Sequence, residues 1–436
     1  MQSRSSCPLL LESARVLDPH TRRDETADLF VADGILQPVP ARLPPDTRRI
    51  AAAGKVVLPG AWDLHVHFRD PGQMESETLA TGSAAAAAGG FTHVVTMPNT
   101  RPPCDTADLV RRQLDPGLCV RILPAACATA GRAGREPADL ETLAAAGAAA
   151  FTDDGSMVAD PAVLAAVLRR SRALGKPVMD HAVLPALAGD GIVRACDAAC
   201  RLGLPVFPPD AEVEAVKQDI RLATETGGAL HVQHVSCAGS VDAIRRARGA
   251  GAPVSGEAAP HHLAIAAEDI AENDGNLRMN PPLGDRADVR ALRAAVLDGT
   301  LQALATDHAP HPSAAKALGL LRAPPGVIGL ETALGVTWSL LVGVEGMPAL
   351  DWAARWTTGP AAILGLPPPA LAEGRPADLV LLEVKTPWQV DPARFRSRSR
   401  NCPFAGWALH GRAILTMCGG RMTWIAEEIE RVTGDG

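Results

Sequence analysis

Two imidazoles two residues apart, His65 and His67, stand near the end of an apolar run that starts at Val56. On an extended strand both point to the same side, where they can share one metal ion. Arg69 follows on the same parity, and Asp70-Pro71-Gly72 then turns the chain. Other apolar runs end in the same kinds of residue. Asn99 follows Met97 and Pro98, Asp153 and Asp154 end a third run, and His181 ends a fourth. A further run carries His231 and His234, and the last leads into Thr306-Asp-His-Ala-Pro-His311. Four histidines and a carboxylate suffice to bind two zinc ions, with a second carboxylate, Asp307, left beside a metal-activated water.

Single positions carry different weights. His231 has the opposite strand parity from His234, so it reads as a hydrogen-bonding core residue rather than a ligand. His261 and His262 fit loop packing as well as ligation, and His20, His93 and His410 join no constellation. Asp63 shares the parity of His65 and either orients a ligand ring or caps a turn. Many two-metal barrels bridge their ions with a carboxylated lysine. Lysine occurs here only at positions 55, 176, 217, 316 and 385, so the bridging carboxylate falls to Asp153 or Asp154.

Those residues need elements to position them. Eight strands are predicted, at 56–67, 91–97, 120–126, 148–152, 177–181, 229–235, 253–257 and 301–306. Helical segments alternate with them, among them 75–88, 161–174, 211–226, 241–248 and 286–297. Asp160-Pro161 is an N-cap and first-turn pair. The pattern predicts an α/β fold, a (β/α)8 TIM barrel over residues 58–365 with its chemistry at the strand C-termini. Short strands at both ends, including one at 388–390, predict a discontinuous β-sandwich from residues 1–57 and 366–436. The long segment Ala309–Gly329, with Gly319 and Gly326, reads as a lid.

Composition narrows the partners. The 436 residues are 47% hydrophobic and 21% charged, with a net charge of −7 and no basic run, which excludes nucleic acid as the main partner. No apolar stretch approaches the ~20 residues of a membrane span, and the run in Met1–Glu12 is too short for a signal peptide. The nine cysteines are scattered; Cys196 and Cys200 have the wrong spacing for a zinc knuckle and read as idle thiols. A cytoplasmic location follows as the expectation.

In order, the motifs His65-Val-His-Phe-Arg-Asp-Pro-Gly72, Gly89-Gly-Phe-Thr92, Met97-Pro-Asn-Thr100, Thr152-Asp-Asp-Gly155, His234-Val-Ser236, Glu257 to Leu263 with Pro260-His-His-Leu263, Asn280-Pro-Pro-Leu283, Thr306-Asp-His-Ala-Pro-His311 and Gly329-Leu-Glu-Thr332 resemble those of the bacterial type I dihydroorotases in the amidohydrolase superfamily. The resemblance runs from about residue 56 to 420, and Asn401-Cys-Pro-Phe-Ala-Gly406 resembles the closing segment of that family's sandwich. It implies reversible cyclisation of N-carbamoyl-L-aspartate to (S)-dihydroorotate in pyrimidine biosynthesis, with one or two Zn2+ ions per chain.

The same resemblance assigns His65 and His67 to a first metal, and His181 and His234 to a second. The interval to His181 selects Asp154 as the bridge. Asp307 becomes a ligand and the general acid/base, while Arg69, Asn99, Asn280 and His311, with backbone groups around Pro325 and Gly326, become substrate contacts. An arginine fork suits a substrate carboxylate better than a lysine point charge. A homo-oligomer and association with aspartate transcarbamoylase are further expectations from the family. Three departures stand out: Ala-Val after His181, Gly284 in place of an arginine, and Thr358-Gly-Pro-Ala in place of Asn-Pro-Ala. Two competing readings are a hydantoinase or allantoinase, which usually carry the bridging lysine, and an inactive scaffold for the transcarbamoylase, which would typically have lost ligands.

Overall fold

The computed structural model of the chain describes residues 7–429. The barrel strands are Ala61–Val66, Phe91–Thr96, Arg121–Cys127, Ala150–Thr152, Val178–Asp180, Leu230–Val232, Val254–Ala258 and Ala303–Leu304, paired in chain order as one eight-stranded sheet. Neighbours in it run parallel. The seam between first and last strands is closed largely by one side chain. Asp63 accepts hydrogen bonds from Thr306 N at 3.0 Å and Thr306 Oγ1 at 2.5 Å, and His67 N donates to His308 O at 2.8 Å. Trp62, Leu64, Val95, Met97, Ala125, Ala150, Met179 and Ala303 come from six strands into one buried cluster, which fills the barrel interior.

The helices form where the periodicity places them, with ends set by caps. Thr78 caps Leu79–Ala88, so that helix starts four residues later than predicted. Asp160 accepts from Ala162 N and precedes Pro161 at the start of Pro161–Ala173.

The run predicted as one strand at 56–67 is two strands. Val56–Pro59 pairs with Leu9–Asp18 and Leu379–Glu383, whereas Ala61–Val66 enters the barrel. Gly60 makes the crossing, and a Cβ there would lie 2.1 Å from Thr92 Cγ2. Only glycine lets the chain pass so close to the second barrel strand.

Both chain ends build one further sheet, with Leu9–Asp18, Arg23–Ala32 and Ile35–Gln37 from the first and Leu379–Glu383, Arg412–Cys418 and Arg421–Ile425 from the second. Leu9–Asp18 carries Arg48–Ala51 and Val56–Pro59 at successive positions along its length, with a register shift between Leu11 and Ala14. The arms enclose a separate apolar cluster that includes Leu11, Val16, Val31, Val57, Leu381 and Leu415. Trp388–Gln389 is not part of this sheet; it pairs with Ala408–Leu409 in its own ribbon. The first six residues of the N-terminal stretch lie outside the described residues.

Candidate metal centre and active site

Where the first barrel strand reaches the mouth, its register slips. Asp63 faces Val94 but Val66 faces Thr96, so three steps on this strand match two on its neighbour. Such a bulge re-aims side chains. Within it His65, and beyond it His67, turn to the axis. Nε2 of His65 lies 3.2 Å from Asp154 Oδ1, and Nε2 of His67 lies 3.5 Å from Asp154 Oδ2 and 3.1 Å from Asp307 Oδ1. Asp63 touches neither ring, because its carboxylate is spent on the seam and on His65 N. Arg69 reaches the site by a left-handed turn at φ 57° rather than by strand parity, since the strand stops at Val66.

Each ring is held from behind. Nδ1 of His65 meets Glu257 Oε1 at 3.1 Å, and Nδ1 of His67 meets Asn99 Oδ1 at 2.9 Å. A proton on each Nδ1 satisfies these acceptors and leaves the Nε2 lone pairs facing Asp154 and Asp307. Glu257 is itself braced by His231 Nε2 at 3.0 Å, while His231 Nδ1 meets Ser255 Oγ at 2.9 Å. His231 therefore serves as a hydrogen-bonded support.

His181 and His234 approach the same Asp154 oxygen as His65, at 3.8 Å each from Oδ1. Their own ring nitrogens, Nδ1 and Nε2, are 2.9 Å apart, and Asn280 Nδ2 is 3.0 Å from Nε2 of His181. Asp153 points elsewhere. It accepts from Ala128 N, Thr129 N and Thr129 Oγ1, leaving Asp154 alone at the centre.

Two buried ligand sets result, His65–His67–Asp154 and Asp154–His181–His234, with donor atoms within 4.8 Å of one another in each set. Nε2 of His65, Oδ1 of Asp154 and Nδ1 of His234 are buried and make no hydrogen bond. Buried polar atoms are almost always partnered, so this donor set fits a divalent cation. Burial alone would raise the carboxyl of Asp307, but the adjacent imidazoles of His65 and His67 outweigh it and hold Asp307 well below its ordinary range. Asp154 is lowered as well, against the effect of burial, by the adjacent imidazoles of His65, His234 and His67.

A cavity of about 460 Å³ opens onto this centre, and Arg69, Asn99, Asn280, Asp307, His311, Pro325 and Gly326 all line it. Burial lowers the Arg69 guanidinium only to about 10, so it stays charged at neutral pH. Nε2 of His311 lies 2.8 Å from Pro325 O, which makes it the protonated nitrogen and leaves Nδ1 as an acceptor. The backbone around Gly326 departs from expectation. Gly326 N already donates to Arg278 O at 2.9 Å, and Gly326 O accepts from Lys316 and Asn401. Those groups shape the wall and are engaged by the protein itself. A larger hollow of about 640 Å³, beside the ribbon at Trp388, is lined by none of the residues of the two ligand sets.

Four contributors have no role in the sequence reading. Glu257 ends the seventh strand run, and a carboxylate at that position was the available signal. Asn401 donates to Ala309 O at 3.0 Å and Gly326 O at 3.2 Å, and accepts from His311 N at 3.2 Å. Arg101 and Arg132 also line the cavity; no local pattern marks these two, whereas Asn401 opens the Asn401–Gly406 motif.

Residues 56–423 match the amidohydrolase family. A dihydroorotase from Anaeromyxobacter dehalogenans (strain 2CP-1 / ATCC BAA-258) is 42% identical over 430 residues, covering 97% of this chain and 99% of that one. A dihydroorotase from Pelotomaculum thermopropionicum is 39% identical, covering 95% and 98%. Among solved structures, L-hydantoinase from Arthrobacter aurescens is similar at a TM-score of 0.83 and 25% identity, with 96% of each chain covered.

Proposed function

The chain belongs to the amidohydrolase family, and from that premise we propose that it works as a zinc-dependent dihydroorotase, interconverting N-carbamoyl-L-aspartate and (S)-dihydroorotate. The observation that carries this reading is a guanidinium, Arg69, in the wall of the cavity that holds both ligand sets and Asp307. Imidazole and carboxylate donors suit zinc. When bound, such an ion lowers the pKa of water towards ~7 and polarises the carbonyl under attack.

The residues supply the rest. Arg69 forks onto the substrate carboxylate, and neutral His311 offers Nδ1 to a ring N–H. Asp307, ionised at neutral pH, accepts the proton of the attacking water and returns it to the departing ring nitrogen. In the reverse direction the same carboxylate takes a proton from the carbamoyl nitrogen as that nitrogen attacks the side-chain carboxyl carbon. It returns the proton to the departing oxygen, so that the C–O bond breaks and water leaves as the ring closes. Asn99 and Asn280 hold His67 and His181 while lining the cavity.

In this reading the barrel carries the chemistry and the two terminal segments form its scaffold domain. A cytoplasmic location, a homo-oligomer and association with aspartate transcarbamoylase go with it. Among the described residues, no helix is long and apolar enough to cross a membrane. The lysine-bridged hydantoinase reading loses support because no lysine lines the cavity among the described residues. The direct test is a dihydroorotate assay in both directions on protein whose metal content has been measured. We expect bound zinc and turnover both ways; a folded, zinc-loaded sample inert in both directions would overturn the assignment.

A further inference from the structure

Lys316 lies in the segment Ala309–Gly329, of which Ala309, His311, Pro325 and Gly326 line the cavity, at the end of the short helix Ser313–Lys316, and is 3% exposed. Its ammonium donates to Arg278 O at 3.1 Å, Pro324 O at 2.9 Å and Gly326 O at 2.7 Å. Three protons meet three carbonyls. Its hydrogen bonds go to carbonyls, and the charge of Asp274 also favours the ammonium; taking an ammonium out of water is costly unless hydrogen bonds replace the hydration.

The three carbonyls belong to the two backbone stretches that edge the cavity. Arg278 precedes Asn280 by two residues, and Pro324 and Gly326 flank Pro325, whose carbonyl holds His311. Arg278 O also accepts from Gly326 N, so the lysine closes a knot already begun between the stretches. Asn401 ties the same Gly326 carbonyl to Ala309 and His311 from the C-terminal segment.

We propose that Lys316 is a positioning residue: its ammonium clamps the Arg278–Asn280 and Pro324–Gly326 stretches together and thereby sets the substrate-binding wall formed by Asn280, Pro325, Gly326 and His311. The proposal rests on the dihydroorotase reading for its substrate and on the hydrogen-bond geometry for its mechanism. The clamp touches no metal ligand and no reacting atom, so its loss acts on how the carboxylated ring is held.

The test is Lys316→Met, assayed with dihydroorotate and N-carbamoyl-L-aspartate. KM is expected to rise about tenfold or more for both while kcat stays within about threefold and metal content is unchanged. Hydrogen exchange should quicken at residues 309–329 and 275–282, leaving the barrel strands protected. Unchanged KM values would overturn the proposal. The wild-type protein provides an independent check should the variant fail to fold. The Ala309 and Gly326 amides, bonded to Val327 O and Arg278 O, must be protected from exchange, and open-loop rates there would overturn the clamp. Wild-type protein inactive on dihydroorotate would count against the functional assignment, while the exchange data would still judge the clamp.

Discussion

The two ends of the barrel use the same residue types to opposite effect. At the base, His93 stacks on Trp62 at 4.2 Å, with its Nε2 3.3 Å from Arg121, and Arg121 is paired to Asp378 of the C-terminal segment. At the mouth, Asp154, His65 and His234 leave buried atoms without hydrogen bonds. Arg69, His234 and Asp307 also adopt positive φ values of 57°, 30° and 47°, a region that costs about 1–3 kcal/mol per residue outside glycine. Strained backbone and unpartnered ligand atoms coincide at the mouth, whereas at the base, where Trp62 Nε1 is also buried without a partner, the charged Arg121 and Asp378 satisfy each other. The contrast predicts that substitutions at the mouth change activity and those at the base change stability.

The largest expected effect is at Asp307. Asp307→Asn keeps the shape and removes the proton acceptor, and should lower kcat about a thousandfold without lowering the melting temperature. Near-normal turnover would remove Asp307 from the proton-transfer role, and a collapse in stability would break the contrast between the two ends.

At the base the readout is acid stability. Burial lowers His93 from its ordinary value of 6.5 to about 4, so the unfolded chain takes up this proton first. The stabilisation is full above pH 6.5 and is lost as pH falls towards 4, amounting to roughly 3 kcal/mol. Urea unfolding between pH 7 and 4.5 should show a shallower decline in His93→Gln than in wild type. Activity at pH 7 should stay within about twofold; identical pH slopes would sink the prediction.

The smallest effect sharpens the comparison within the mouth. Glu257→Gln loosens the ring of His65 while sparing the facing ligands, and should weaken metal affinity about 10–100-fold with no loss of fold. Competition against a chelator measures it, and wild-type affinity would reduce Glu257 to a packing role.

Much of this arrangement was legible in the sequence, since a strand's period of two and a helix's period of 3.6 are local properties. The eight barrel strands, the capped helix at Pro161 and the residue types at the strand ends all follow from neighbours in the chain. The limit shows where local geometry stops being regular. The bulge after Asp63 and the positive φ at Arg69 break the parity that linked them to His65, and the crossing at Gly60 splits one apolar run between two sheets.

By itself, then, the sequence determined the repeating architecture and the chemical character of the site, because periodicity and residue type need only local interactions. Only the tertiary structure decided the pairings. It turned Asp153 towards Ala128 and Thr129 and Asp154 to the axis, set Glu257 behind His65, closed the seam with Asp63, and brought Lys316 and Asn401 together at Gly326. Those contacts join residues far apart in the chain, so they exist only once barrel closure has placed the strand ends and loops around one cavity.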